Sequence, residues 1–144
     1  MKNIALLIHL VFVGVWLGCV LTEALFERAL LGQGRVQERI LVGLHKRVDL
    51  WIEIPAFSGV LISGLVLLSH SDWSPTLQMK ILFGLVAIAA NIYCVGLVFR
   101  RAKAADLGDW TRFEVLDHSQ HKWGAVVLVG LLLALGLGVS LLVG

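Results

Sequence analysis

Four apolar runs, at residues 4–22, 54–69, 81–99 and 123–144, dominate the chain and decide what it can fold into. A segment crosses the hydrocarbon layer of a bilayer with about 20 apolar residues, in practice about 17 to 25. The second run is short between its charges. It must take in the Trp51-Ile52-Glu53 turn or tilt little, with Trp51 as an interfacial anchor. Lipid offers the backbone no hydrogen bonds, so each run must be helical. The expected fold is all-α: an integral membrane four-helix bundle forming one domain over 1–144, with helices at about 4–28, 47–69, 77–101 and 118–143. Composition agrees, since 58% of residues are hydrophobic, 15% are charged and the mean hydropathy is +0.89, far from the mix of a soluble domain. Lys2 before an apolar run also fits a signal peptide, and Trp16-Leu17-Gly18-Cys19 faintly resembles a lipoprotein cleavage site. Bulky Trp16 and Leu17 stand where a peptidase needs small residues, so the first helix is expected to stay.

Several function classes fall away. Twelve basic and ten acidic residues leave +2, too little for a nucleic-acid-binding surface. Cys19 and Cys94 both lie in apolar stretches and make neither a disulfide framework nor a Cys-x-x-Cys metal motif. The chain carries no Gly-rich phosphate loop, serine nucleophile elbow or strand pattern, so nucleotide-driven and hydrolytic chemistry have no support. Four short spans without an inverted repeat argue against a secondary transporter.

The basic residues set an expected orientation. Arg28, Arg35, Arg39, Lys46 and Arg47 fall in the first connection, and Arg100, Arg101, Lys103, Arg112 and Lys122 in the third; only Lys2 and Lys80 lie elsewhere. This split places both long connections in the cytoplasm of a bacterial inner membrane, with both termini and the turn from His70 to Thr76 on the opposite side. Gly14 with Gly18, and Ala134 with Gly138, are small-xxx-small pairs that could let helices pack closely.

Ionisable residues inside spans are costly and mark functional sites by default. His9, Trp16 and Glu23 recur at intervals of seven on the first helix, with Glu27 four further on; His45, Asp49 and Glu53 recur every four on the second. Lys80 and Asn91 lie three turns apart on the third helix, and Glu114, Asp117, His118 and His121 precede the fourth apolar run. Each set makes a stripe on one helix face. Given the orientation, Glu23, His45, Asp49, Glu53, His118 and His121 collect near the cytoplasmic end, and His9, His70 and Lys80 near the other.

Carboxylates and imidazoles projecting inward from facing helices are the ligand set that holds iron, manganese, copper or zinc in a bundle core. The expected metal ligands are Glu23, Asp49 or Glu53, His118 and His121, with His45 as a further ligand or an orienting group. The carboxylate content leans toward iron or manganese. The same residues allow other readings: a solvated interface in which they cap helices and pair with arginines, a proton-conducting cluster, or interhelical pairing in a non-enzymatic accessory subunit. At the other end, His9 could be an axial ligand to haem b with Lys80 near its propionates, or could bond a neighbouring hydroxyl while Lys80 snorkels outward. Partners expected from sequence are the lipid bilayer and a second copy or another membrane protein.

The run Ile8-His9-Leu10-Val11-Phe12-Val13-Gly14-Val15-Trp16-Leu17-Gly18, with a histidine seven residues before a tryptophan, resembles the first helix of small haem-associated membrane proteins: the HemJ-type protoporphyrinogen oxidases and the CopD copper-resistance group. Ile54-Pro55-Ala56 through Gly64-Leu65 is similar to their second helix, and Met79-Lys80-Ile81-Leu82 to their third, where the oxidase type has a lysine. The likeness covers about the first two-thirds of the chain and implies that His9 and Lys80 are haem-associated positions in a membrane oxidoreductase. Glu23, Glu27, Asp49, Glu53 and Asp117-His118-x-x-His121 depart from the oxidase pattern.

Overall fold

The computed structural model describes residues 2–143, and these are helical apart from short turns. Helix α1 is Lys2–Leu30 and α2 is Arg35–Val48; a π-helical turn, Asp49–Glu53, joins α2 to α3, Ile54–Leu68, without a break. Helix α4 is Pro75–Asp106 and α5 is Trp110–Val143. Four continuous helices result, Asn3–Leu30, Arg35–Leu68, Pro75–Asp106 and Trp110–Val143, each long and apolar enough to cross a membrane. This is the build of a multi-pass helical bundle. Large apolar side chains such as Leu7, Ile62, Leu65 and Val129 are exposed on its outside, a surface suited to lipid.

The helices overrun the boundaries expected from sequence. The second begins at Arg35, not near residue 47, and the last at Trp110, not near residue 118. The reason is that Arg, Lys, Gln and Glu are good helix formers, so charge marks where a helix leaves the apolar layer and not where it ends. At 34 residues, the second helix rises about 51 Å against about 30 Å of hydrocarbon, so about two-fifths of it stands outside.

What ends the helices is local backbone chemistry. Gly32 and Gly34, with φ of 76° and 119°, turn α1 into α2, and Glu38 closes that corner by accepting from the Gly32 N–H at 3.3 Å and pairing with Arg35 at 2.9 Å. The Ser74 hydroxyl accepts from the Leu77 N–H at the start of α4, where Pro75 fits the first turn. After α4, Gly108 at φ 72° donates to Ala105 O and Asp109 to Ala104 O, the paired reverse bonds of a Schellman stop. Asp109 then caps α5 through the Arg112 N–H at 3.1 Å. The π turn has its own cause: Pro55 lacks an N–H and crowds the carbonyl four residues back. Just before it, the Ile54 N–H reaches past the usual partner to Asp49 O.

Helix α1 packs on α3, and α4 on α5 over the most extensive contact in the molecule. One core layer is built from Val13, Trp16, Ala56, Phe57, Ala87, Ile88, Ala90, Val127 and Leu131; a smaller one, from Val42, Ala104, Ala105 and Phe113, lies among α2, α4 and α5. Close approach rests on Gly59, where a Cβ would come within 2.6 Å of the Phe12 ring, and Gly130, where it would meet Ala87 at 3.1 Å. The pair Gly14 and Gly18 faces open space and holds no helix. Sequence spacing identifies a small-residue pair but not the side of the helix that finds a partner.

Candidate functional site

At the junction of the two cores the bundle is polar. Asp49 and Glu53, at either end of the π turn, are 1% and 3% exposed, and Glu23 projects toward them from α1. One oxygen from each of the three carboxylates lies within 4.8 Å of the others. On a regular α-helix, residues four apart overshoot a full turn by about 40°. The wider π turn absorbs that drift, which is how His45, Asp49 and Glu53 all stay buried on one face. Such turns are frequent at functional sites.

The three carboxylates line a cavity of about 200 Å³, completed by Asn91 and Cys94 of α4 and by Gln120, His121 and Gly124 of α5. Glu23 Oε1, Asp49 Oδ2 and Asn91 Nδ2 are buried without a hydrogen-bond partner. Asn91 is held in place by Trp16, fully buried, whose Nε1–H donates to Asn91 Oδ1 at 3.2 Å. Among the described residues no Lys, Arg or His forms an ion pair with Glu23, Asp49 or Glu53. Buried carboxylates without a counter-charge are unstable, so positive charge must come from outside the chain, as a cation or as protons.

A second acidic set adjoins the first but already has a protein cation. Arg101, wholly buried, donates from Nη2 to Glu27 at 2.7 Å and from Nη1 to Asp117 at 2.6 Å, with the Phe113 ring 5.2 Å from its guanidinium carbon. This clamp ties α1, α4 and α5 together. Glu27, Asp117 and His121 also bring ligand atoms within 4.8 Å of one another, yet the arginine already occupies the charge position an ion would take. His45 stands between the two sets: Gln120 Nε2 donates to its Nδ1 at 3.0 Å, and its Nε2 faces the Glu23 carbonyl at 3.5 Å. With both ring nitrogens engaged by protein, His45 orients its neighbours instead of ligating.

Of the expected ligands, Glu23, Asp49 and Glu53 therefore come together, with His45 beside them. His121 reaches the cavity mouth half-exposed, its Nδ1 bonded to Asp117 O at 2.9 Å. His118 is exposed and lines no part of the cavity. Phe113, Asp117, Gln120, Gly124 and Val127 mark the inward face of α5, and at 100° per residue His118 lies about 120° away from Gly124. Both members of an i, i+3 pair therefore do not face this site. His9 and Lys80 lie elsewhere: His9 is buried between α1 and α3 with Nδ1 at 2.9 Å from Ser63 Oγ, and Lys80 lies against Gly138 of α5.

Sequence reading missed Arg101, counted there as a loop charge. A signal existed in the spacing of Leu97, Val98, Arg101, Ala104 and Ala105, which continues the buried stripe of α4 beyond the apolar run. No protein-family model, curated protein or solved structure matches the chain, and none identifies the HemJ-type or CopD relationship that the His9 run implies.

Proposed function

We propose that the chain is a multi-pass membrane protein that holds a divalent transition-metal cation on Glu23, Asp49 and Glu53, for metal-dependent redox chemistry or metal handling. One observation carries this reading: Glu23, half-buried, and Asp49 and Glu53, buried, converge on a cavity in which Glu23 Oε1 and Asp49 Oδ2 have no hydrogen-bond partner and, among the described residues, no protein cation is paired with any of the three. The set is richer in oxygen than the histidine-containing one expected from sequence, which favours manganese or iron over copper or zinc. The excess of arginine and lysine at the same end as the site supports an orientation with site and long connections cytoplasmic and both termini outside, in a bacterial inner membrane. Haem at His9 and Lys80 draws less support, because neither residue lines the cavity.

Purified protein, from cells grown with added manganese and iron, is expected to retain about one such ion per chain by elemental analysis. Asp49→Asn combined with Glu53→Gln is expected to lose it. Equal metal in parent and variant, or a parent free of metal, would overturn the reading.

A further inference from the structure

The outward face of α2 is unlike the rest of the bundle surface. Arg39, Ile40, Gly43, Leu44 and Arg47 line a groove along it, and their spacing puts all five on one side of the helix. Gly43 forms its floor: a Cβ there would meet nothing within 4 Å. Among the described residues neither arginine has a carboxylate partner; Arg39 rests 5.7 Å from the Trp110 ring. The nearest acids in sequence point inward: Glu38, beside Arg39, is buried against Arg35 and the Gly32 N–H, and Asp49, two residues from Arg47, is buried in the carboxylate cavity.

Depth makes this groove specific. From Val48 to Leu68 the second helix rises about 31 Å, the thickness of the hydrocarbon layer. Arg47 therefore emerges at the level of lipid phosphates. Trp51, one turn below it and 80% exposed, sits where tryptophans mark the interface. Arg39 lies about 12 Å further out along the axis, a gap that two extended guanidinium side chains close from either side above Gly43.

We propose that this face binds one anionic phospholipid, its phosphate held between Arg39 and Arg47 over Gly43 and its acyl chains running down past Trp51. Paired guanidinium groups suit a phosphodiester, and two basic residues with no acid lining the groove favour a headgroup of net negative charge over a zwitterionic one. The inference does not depend on a metal at the carboxylates.

The test is native mass spectrometry of the full chain in mild detergent, titrated with dioleoylphosphatidylglycerol or dioleoylphosphatidylcholine. The parent is expected to keep one phosphatidylglycerol in preference to phosphatidylcholine. An arginine near an anionic surface is worth about five-fold, so Arg39→Gln with Arg47→Gln should weaken that retention by about 30-fold. Gly43→Leu, which keeps every charge and projects into open space, should also lose it by filling the groove. Arg100→Gln with Arg112→Gln, two exposed residues elsewhere at the same end, should leave it unchanged. Equal retention of the two lipids, an undiminished adduct in Gly43→Leu, or an equal loss in the Arg100 and Arg112 variant would overturn the proposal; the last would mean diffuse attraction to a basic surface.

Discussion

Two groups of acids lie side by side in this bundle and solve the same physical problem differently. Glu27 and Asp117 share a buried arginine and so are paired with a cation within the chain. Glu23, Asp49 and Glu53 face a cavity and one another without a protein cation among the described residues, and Glu23 Oε1 and Asp49 Oδ2 have no hydrogen-bond partner. Acids that share a buried arginine hold helices in register, whereas acids that lack a cation are costly to bury unless something else supplies it. The difference separates a structural clamp from a binding site, although residue type and depth alone would class the two together.

The largest expected effect comes from opening the clamp. Arg101→Leu leaves two half-buried carboxylates without a partner and should cost up to about 3–5 kcal/mol, read as a lowered midpoint of unfolding in denaturing detergent. Adding Glu27→Gln and Asp117→Asn should recover most of that loss; no recovery would mean that Arg101 acts through packing on Phe113 instead. Next is the response of the open set to metal. Manganese at about 100 times its Kd should stabilise the parent by about 2.7 kcal/mol, and Asp49→Asn with Glu53→Gln should abolish the gain while leaving the metal-free protein within about 1 kcal/mol of the parent.

His45 links the two sets, so His45→Phe sharpens the comparison. Loss of its contacts to Gln120 and the Glu23 carbonyl should cost about 1–3 kcal/mol and weaken metal affinity about 10- to 100-fold without changing stoichiometry at saturation. Altered stoichiometry would make His45 a ligand. The smallest effect belongs to His118→Ala, an exposed position, which should change neither stability nor metal content; a loss of metal would return the histidine pair to the site.

The apolar runs made the four spans legible, and the recurrence of His45, Asp49 and Glu53 every four residues made one wall of the cavity legible too. That spacing works because the turn before Pro55 is wide, a backbone consequence that hydrophobic periodicity does not carry. Glu23 was legible through its register with Trp16. What stayed hidden depended on neighbours distant in sequence. Arg101 reads as a surface charge until Glu27 and Asp117 enclose it from α1 and α5, and Gly59 reads like Gly14 until the Phe12 ring lies against it. His118 and His121 look convergent by spacing alone, whereas only the rotation of α5 decides which member faces inward.

The most direct test is manganese binding followed by electron paramagnetic resonance on chelator-treated protein, comparing the parent, Asp49→Asn with Glu53→Gln, and the neutral clamp variant Glu27→Gln with Arg101→Leu and Asp117→Asn. The account predicts one bound ion in the parent and in the clamp variant, and none when Asp49 and Glu53 are neutralised. Binding that survives neutralisation of Asp49 and Glu53 and disappears with the clamp would contradict it.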